Sequence, residues 1–414
     1  ASLNLWLRYL GVYEKYKKKG LSDVLAKLYG TIEHFDTHLG RVLTRLDELG
    51  LAENTVVIFQ SDNGPNLANS PQERFSKSDW ARRNPSELRG NKTHVWENGI
   101  KSPCFIRWTG RFDPREVDIP AGVTDIFPTV MDLAGIDYES KNRLDGTNLV
   151  PLLTNDQARK DERKALADRY TFASDQAVHF QNRRSPKHPF PDDFRDTIRF
   201  EDQALVCFHD RFKLLQKPFK KSYLYHLFSP MPEAGDHDWV LIDLKEDPKE
   251  RVNVIAKHPE VARKMQQALK AWFADVVKDE NFGSRPEFLI GSQQKENATV
   301  SVRCASRIGG SFSNVSQVFK EVGDYGEFQL VIHNPGVWEV SLAHAKANGS
   351  GELRMTIGDQ SYSFQPSGTL TRVGRFNFSK PGEELTLRIE ATRQGAGEGM
   401  ILGRLGNVSF DKLD

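Results

Sequence analysis

Residues 51–65 read LAENTVVIFQSDNGP, and this stretch decides the fold class. Its centre, Thr55 to Phe59, is an unbroken β-branched and aromatic run, which is typical of a strand buried on both faces of a parallel sheet. Before it, from Ser22 to Gly50, apolar residues recur in steps of three and four, which predicts a long amphipathic helix capped by Ser22. A long helix followed by a buried strand predicts an α/β core.

The α/β pattern continues with a strand at residues 104–108 and a helix from about Thr124 to Gly135. Cys104 lies inside that strand and is expected to be a small buried residue. Residues 155–200 are polar and without period, which predicts an insertion or a long surface loop. Strands near 204–208, 212–215 and 239–244, followed by a helix over 258–278, predict a smaller antiparallel α+β subdomain.

Beyond residue 286 the helical period disappears, and short alternating strands separated by Gly, Pro, Asn and Ser predict a C-terminal all-β sandwich. The predicted domains are therefore 1–155, the C-terminal half of an α/β core with a mixed sheet, 156–285, the α+β subdomain, and 290–414, the sandwich. Its aromatic residues Trp338, Tyr362 and Phe364 suit either sugar stacking or the core of the sandwich.

Composition excludes some classes of partner. The 414 residues carry a formal net charge of +1, which gives no reason to expect a nucleic acid or a membrane surface. No run approaches the roughly 20 apolar residues that a membrane span needs. Three cysteines, far apart and odd in number, do not make a disulfide framework.

Ser61-Asp62-Asn63-Gly64 follows the predicted buried strand, and in α/β sheets ligands bind at the carboxyl ends of strands. A carboxylate next to an amide offers two oxygen ligands of the kind that Ca²⁺ prefers, and Gly64 lets the chain turn away. Asp-Asn-Gly is also common turn chemistry, so this stretch alone leaves both interpretations open.

The segment 88–101, LRGNKTHVWENGIK, is dense in glycine, hydrogen-bond donors and cations. The Lys92 ammonium is a point charge suited to a sulfate oxygen. His94 is two residues further on and can exchange protons with a leaving-group oxygen or a sugar hydroxyl near neutral pH. The alternatives are a solvated basic loop and a solvent-facing histidine.

The order of these stretches resembles the type I sulfatase family of the alkaline-phosphatase superfamily, over about the first 280 residues. The resemblance implies that Asp62 and Asn63 complete a Ca²⁺ shell and that Lys92 contacts the sulfate. The matching stretches are Ser61-Asp62-Asn63-Gly64, Lys92-x-x-x-Trp96-Glu97-x-Gly99, Ser102-Pro103-x-x-Ile106-Arg107-Trp108, Thr124–Val130, Leu144-Asp145-Gly146 and Leu241–Pro248.

The chain departs from the family pattern in several places. Asn98 stands where the family usually has Gly, and Lys101 stands where it has Arg; both suggest a change of loop geometry. The Cys/Ser-x-Pro-x-Arg motif that gives the family its formylglycine nucleophile is absent, as are the upstream metal-ligand Asp pair and catalytic His. Because the sequence begins at Ala1 rather than Met, we expect the C-terminal portion of a longer sulfatase, inactive by itself.

The resemblance implies a hydrolase of sulfate esters, acting on a sulfated carbohydrate or an aryl sulfate, with Ca²⁺ as cofactor and a periplasmic or extracellular location. The missing N-terminal portion of the sulfatase is a further expected partner. Two alternatives remain open: a phosphonate or phosphate ester hydrolase of the same superfamily, and a non-catalytic chain that binds a sulfated glycan.

Overall fold

The computed structural model describes most of the chain as two compact units. The first comprises Ala1–Ala177 and Phe200–Phe273, and the second comprises Val178–Arg199 and Ala274–Asp414. All structural statements below concern the described residues, which are 11–65, 75–92, 94–139, 144–174, 198–216, 239–278, 287–292, 295–312, 317–345, 351–395 and 404–413.

The first unit opens with two helices, α1 (Val12–Lys18) and α2 (Asp23–Glu48). The Ser22 hydroxyl accepts a hydrogen bond from Leu25 N at 3.3 Å, so it caps α2 as its position predicts. After the helix, Gly50 adopts φ +67°, a left-handed conformation that glycine takes without strain and that stops a helix. The long helix predicted from residues 22–50 is confirmed.

Two strands follow, β1 (Val56–Gln60) and β2 (Cys104–Trp108), and they pair antiparallel with Ile58 opposite Ile106. Every residue of β1 is half-buried, so the parallel partners expected for this strand do not lie among the described residues. The prediction that Cys104 is buried is wrong: the residue is exposed, as Phe105 is, because the described elements leave much of the surface of β2 uncovered.

Short helices and turns occupy most of the rest of the α/β region, together with one strand. The polar stretch after residue 155 is partly regular, so its prediction as an irregular insertion is wrong for 157–174; only Leu166 of its helix is buried, which leaves no apolar period to detect. Residues 175–197 lie outside the described residues. The elements are 3-10 turns Ala52–Asn54, Val123–Asp125 and Gln157–Arg159, helices α3 (Lys77–Arg83), α4 (Glu97–Ile100), α5 (Ile126–Leu133), α6 (Val150–Leu153) and α7 (Lys160–Ala167), and strand β3 (Thr171–Ser174).

The predicted α+β subdomain is present as an antiparallel sheet in the order β3-β4-β5-β6, with β4 at Leu205–His209, β5 at Phe212–Gln216 and β6 at Trp239–Asp243. One face, which includes Leu214 and Leu241, packs on helix α8 (Pro259–Lys278) through Met265. The opposite face, which includes Leu215, packs on Val95 and Trp96 of the segment 89–101. The sheet therefore supports the segment that carries Lys92 and His94.

The described residues from Glu287 onward form two β-sheets with a common core, in agreement with the predicted sheet-rich C-terminal region. Trp338 is fully buried in that core and donates its indole N–H to Asn334 O, which confirms the core interpretation for this residue. Tyr362 stays 36% exposed. The sheets are β13-β12-β15-β10-β7 with β9 beside β10, and β14-β11-β16-β8; the strands are β7 (Glu287–Ile290), β8 (Asn297–Val300), β9 (Arg307–Gly309), β10 (Tyr325–Ile332), β11 (Gly336–His344), β12 (Glu352–Ile357), β13 (Gln360–Phe364), β14 (Leu370–Phe378), β15 (Glu383–Arg393) and β16 (Leu405–Leu413).

Two expectations about the whole chain concern its covalent and membrane character. Cys104, Cys207 and Cys304 are all unpaired, in agreement with the prediction that disulfides do not hold the chain together. Among the described helices, none combines the length and the apolar character that crossing a bilayer requires.

Candidate functional site

Backbone hydrogen bonds join the turn after β1 to the segment 89–103. Gly64 N donates to Gly99 O at 2.8 Å, and Lys92 N donates to Pro65 O at 2.8 Å. Nearer the strands, Ser61 N donates to Pro103 O at 3.1 Å. The two stretches that the sequence singled out are thus held side by side, with the Lys92 backbone next to the turn that carries Asp62 and Asn63.

Two glycines stand where the backbone is closely packed in these loops. A Cβ atom on Gly64 would lie 1.8 Å from Asn98 O, and one on Gly99 would lie 2.1 Å from His94 O. Both distances are far inside van der Waals contact, so neither position has room for a side chain. Gly64 is therefore required by the contact between the two loops, and Gly99 by the close approach of the chain to itself within the segment 89–101.

Asn63 and Asp62 offer oxygen atoms at the end of β1. Asn63 Oδ1 is buried and has no hydrogen-bond partner among the described residues, whereas Asp62 is exposed. A buried acceptor without a donor is destabilising unless something else, such as a cation, contacts it. The two residues therefore fit as part of a Ca²⁺ shell, which takes six to eight oxygen ligands.

Within the described ranges, no group of three or more His, Cys, Asp or Glu residues could hold a metal ion. The turn after β1 therefore offers one carboxylate and one amide rather than a cluster of carboxylates.

Lys92 is exposed, but the segment around it is not. His94 is only 6% exposed, and Trp96 is completely buried. The alternative of a solvent-facing histidine is therefore wrong, whereas the side chains of Lys92 and Lys101 are exposed, as a solvated basic loop would have them. His94 Nδ1 accepts a hydrogen bond from Asn91 N at 3.2 Å, so the neutral ring carries its proton on Nε2.

The two departures from the family pattern behave differently. Asn98 is buried, and its side-chain Nδ2 donates to Gly90 O at 2.9 Å, a hydrogen bond that a glycine at this position could not make. Lys101 is exposed and follows the last turn of α4. Asn98 therefore contributes to the shape of the loop directly, in agreement with the expected change of loop geometry.

Sequence reasoning missed an ion cluster that lies against this segment. Lys213 Nζ is 2.9 Å from Glu97 Oε1 and 2.7 Å from Glu250 Oε1. The signal was present but weak: Lys213 interrupts an otherwise apolar strand, and Glu250 follows the Asp247-Pro248 pair of the last matching stretch. Glu250 is flanked by Lys249 and Arg251, so the sequence suggests local partners for it rather than Lys213.

The matching stretches around Asp125 and Gly146 are structural. The Asp125 carboxylate is 2% exposed and accepts hydrogen bonds from Gly122 N at 2.8 Å and Thr147 N at 2.7 Å. The Arg169 guanidinium pairs with both of its oxygens, at 2.9 and 2.7 Å. A Cβ on Gly146 would lie 1.9 Å from Thr124 O. Asp125 thus joins the chain near Gly122, Thr147 and Arg169, all of which lie outside the segment that carries Lys92.

Comparison with known proteins bears on this segment directly. The sequence model of the sulfatase family matches residues 6–136. Residues 6–136 belong to the sulfatase family. This sulfatase segment contains Asp62, Asn63, Lys92, His94 and the Glu97 of the ion cluster, whereas the other two members of the cluster, Lys213 and Glu250, lie beyond it.

Two curated relatives each match about a third of the chain. Mouse steryl-sulfatase (Mus musculus) is 40% identical over 158 residues, which are 37% of this chain and 24% of that protein. N-acetylgalactosamine-6-sulfatase of Rattus norvegicus is 32% identical over 138 residues, 33% of this chain and 25% of that protein. The matched part thus spans about a quarter of the length of these relatives.

A solved structure from a study of glycosaminoglycan metabolism by Bacteroides thetaiotaomicron is also similar. It covers 61% of this chain and 44% of its own, with 22% sequence identity and a TM-score of 0.43.

Proposed function

We propose that this chain is part of a hydrolase of sulfuric esters and contributes metal and sulfate contacts to its active site. The observation that carries the proposal is the hydrogen bond from Lys92 N to Pro65 O, which brings Lys92 beside the Asp62-Asn63 turn within a segment of the sulfatase family. An ammonium next to two oxygen ligands is the combination that a bound cation and a sulfate group require.

Each residue has a distinct proposed role. Asp62 and Asn63 would hold Ca²⁺ through their side-chain oxygens, and the ion would supply Lewis-acid polarisation of the sulfate group. Lys92 neutralises charge that develops on the sulfate, and its exposed side chain is free to reach a substrate. His94 would protonate the departing alcohol oxygen or contact a sugar hydroxyl.

The nucleophile is the part that this chain does not supply. Neither a Cys-x-Pro-x-Arg nor a Ser-x-Pro-x-Arg sequence occurs in the 414 residues, so a formylglycine nucleophile would come from an additional N-terminal portion of the sulfatase. Exposed apolar side chains on α2 and β2 support such a partner: Phe35 is 54% exposed and Phe105 64% exposed. Large apolar groups in contact with water are typical of a face that another part of a protein covers.

We expect the purified 414-residue chain to show no turnover of 4-methylumbelliferyl sulfate, because binding groups without a nucleophile do not form the sulfated intermediate. Fluorescence of the released product gives the measurement. Lys92→Ala serves as the control for contamination. Turnover by the unaltered chain that disappears in this variant would contradict the proposal that the nucleophile lies elsewhere.

The proposed Ca²⁺ site predicts that one substitution raises the stability of the metal-free chain and lowers its affinity for Ca²⁺. Asn63→Leu removes a buried acceptor that has no partner, so it should stabilise the metal-free chain by about 1 kcal/mol. The same change removes an oxygen ligand and should weaken Ca²⁺ binding by roughly tenfold or more. Isothermal titration and urea unfolding measure the two effects. Asp118→Ala is the matched control, because Asp118 is an exposed acidic residue of the sulfatase segment. It should change neither the free energy of unfolding nor the Ca²⁺ affinity.

The proposed substrate is a sulfated carbohydrate, and an aryl sulfate is the simpler alternative. Support for the carbohydrate comes from the name of the relative N-acetylgalactosamine-6-sulfatase, whereas the name of steryl-sulfatase points to a different alcohol. Reading the coding sequence upstream of Ala1 tests the reaction class. A Cys- or Ser-x-Pro-x-Arg motif would support the sulfatase, and a Thr in its place would favour a phosphonate or phosphate ester hydrolase.

A non-catalytic glycan-binding chain is distinguished by its binding properties. Binding of a sulfated glycan that persists in an Asp62→Ala variant, together with an upstream sequence that ends in an early stop, would favour that function. The periplasmic or extracellular location stays a prediction and would be checked by fractionation of the source cells.

A further inference from the structure

The ion cluster of Glu97, Lys213 and Glu250 connects the sulfatase segment to the α+β subdomain. Lys213 and Glu250 are completely buried, and Lys213 Nζ also lies 5.3 Å from the centre of the Phe208 ring. The 2.7 Å contact between Lys213 and Glu250 Oε1 is an ion pair without good hydrogen-bond alignment. The buried Lys213 ammonium thus pairs with the carboxylates of Glu97 and Glu250.

Stability alone does not account for such a cluster. Removing ions from water is unfavourable, and apolar residues of similar volume often stabilise a buried position equally well or better. Burial raises the pKa of Glu250, while the neighbouring Lys213 charge lowers it. Phe208 and Ile242 stand opposite Lys213 in the sheet, so an apolar replacement there would have apolar neighbours. A role for the cluster must therefore be sought in the parts of the chain that its hydrogen bonds connect.

Those bonds converge on the segment 89–101. Glu250 Oε2 accepts a hydrogen bond from Glu97 N at 2.6 Å, at the first residue of α4. Glu250 O accepts another from Arg89 Nη1 at 2.9 Å. The Arg89 guanidinium also lies 4.0 Å from the centre of the Trp96 ring. Glu250 therefore contacts both ends of the stretch that contains Lys92 and His94.

Glu250 has an unusual backbone conformation. Its φ is +57°, in the left-handed region that side chains other than Gly, Asn and Asp rarely adopt. A tight turn holds it there: Glu250 N donates to Asp247 O at 3.1 Å, and the Asp247 carboxylate accepts from Val252 N at 2.7 Å. Such strain persists where the surrounding structure imposes it, and here it aims Glu250 at the segment 89–101.

We propose that Lys213 and Glu250 are positioning residues of the sulfate-ester site, which fix the segment 89–101 so that Lys92 stays beside the Asp62-Asn63 turn. The inference rests on the proposed function for the meaning of the site. The fixing of the segment can be measured independently of it.

Hydrogen exchange of the 414-residue chain tests the positioning. The triple variant Glu97→Gln, Lys213→Met, Glu250→Leu removes all three charges together, so no buried ion is left without a partner. We expect amides of 90–101 to exchange about tenfold faster or more, since hydrogen bonds to a charged group are lost, while β4 to β6 exchange as before. Unchanged exchange in 90–101, or an equal rise in the segment and the sheet, would overturn the inference.

Two further variants sharpen this measurement. Replacing Glu250 by Gln in the same triple variant keeps an acceptor for Glu97 N and should restore much of the protection. The double variant Lys245→Met, Glu246→Gln changes two exposed residues after β6 and should leave exchange in 90–101 unaltered. Failure of the Gln variant to restore any protection would count against the positioning role of Glu250.

A second readout concerns the site itself. In the unaltered chain, inorganic sulfate should strengthen Ca²⁺ binding, because Lys92 and the ion contact the same anion. The triple variant should lose most of this gain and keep its Ca²⁺ affinity in the absence of sulfate, which a general loss of stability would not do. Equal loss of both affinities would overturn the positioning role. If the unaltered chain binds no Ca²⁺, the proposed function fails, and the exchange result decides the positioning separately.

Discussion

Gly64→Ala is expected to separate the two loops of the candidate site and to destabilise the first unit by about 3 kcal/mol, the upper range for forcing one extra carbon into a packed region. The new Cβ would lie 1.8 Å from Asn98 O, and the atoms opposite it belong to the backbone, so no side-chain rotation relieves the overlap. The hydrogen bonds from Gly64 N to Gly99 O and from Lys92 N to Pro65 O should be lost together. Urea unfolding and hydrogen exchange of residues 61–65 and 89–101 measure the two effects.

Gly40→Ala is the matched control for this substitution. Gly40 lies inside α2, and a Cβ there would meet nothing within 4 Å. Alanine has the higher helix propensity, so this variant should be up to about 1 kcal/mol more stable. Similar stability of the Gly64→Ala and Gly40→Ala variants would show that the two loops do not touch.

Asp125→Ala is expected to destabilise the first unit by about 3–5 kcal/mol, because it leaves the Arg169 guanidinium without its carboxylate at a buried position. The same substitution removes the acceptor for Gly122 N and Thr147 N. Thermal or urea unfolding measures the loss, and a conservative Asp125→Asn change should show a smaller part of it.

Asp113→Ala provides the contrast. The Asp113 side chain is 82% exposed and lies 3.9 Å from Arg115, so the substitution should change the free energy of unfolding by at most about 0.5 kcal/mol. A comparable effect of the two substitutions would mean that the Asp125–Arg169 pair is as hydrated as a surface pair.

Helix α2 and strand β2 could be predicted from the sequence because their signals are local. Ser22 and Gly50 mark the two ends of the helix within the chain itself, and β2 was predicted with the bounds that the structure shows. The proximity of the two candidate motifs could be predicted only through resemblance. The bonds that create it join residues about 30 apart, and their donors and acceptors are backbone groups that every residue has.

The ion cluster shows what sequence reasoning could not provide. Lys213 in a strand is usually a residue of the solvated face, and its burial depends on Glu97, 116 residues away in the sequence. The prediction of parallel partners for β1 failed for a similar reason. Its apolar run predicted neighbours on both sides, but the run itself does not specify which segments they are.

Because Glu250 supports the segment 89–101 from far along the chain, the segment is synthesised well before the residue that supports it. Glu97 and Glu250 are 153 residues apart. At typical rates of synthesis, roughly 5–20 residues per second, the ribosome finishes the segment roughly 8–30 s before its anchor exists. During that interval the segment lacks the partner of its α4 N-terminus and is open to chaperones and proteases. A product that stops between residues 101 and 250 would therefore retain Asp62, Asn63, Lys92 and His94 but lack the Glu250 contacts to Arg89 and Glu97.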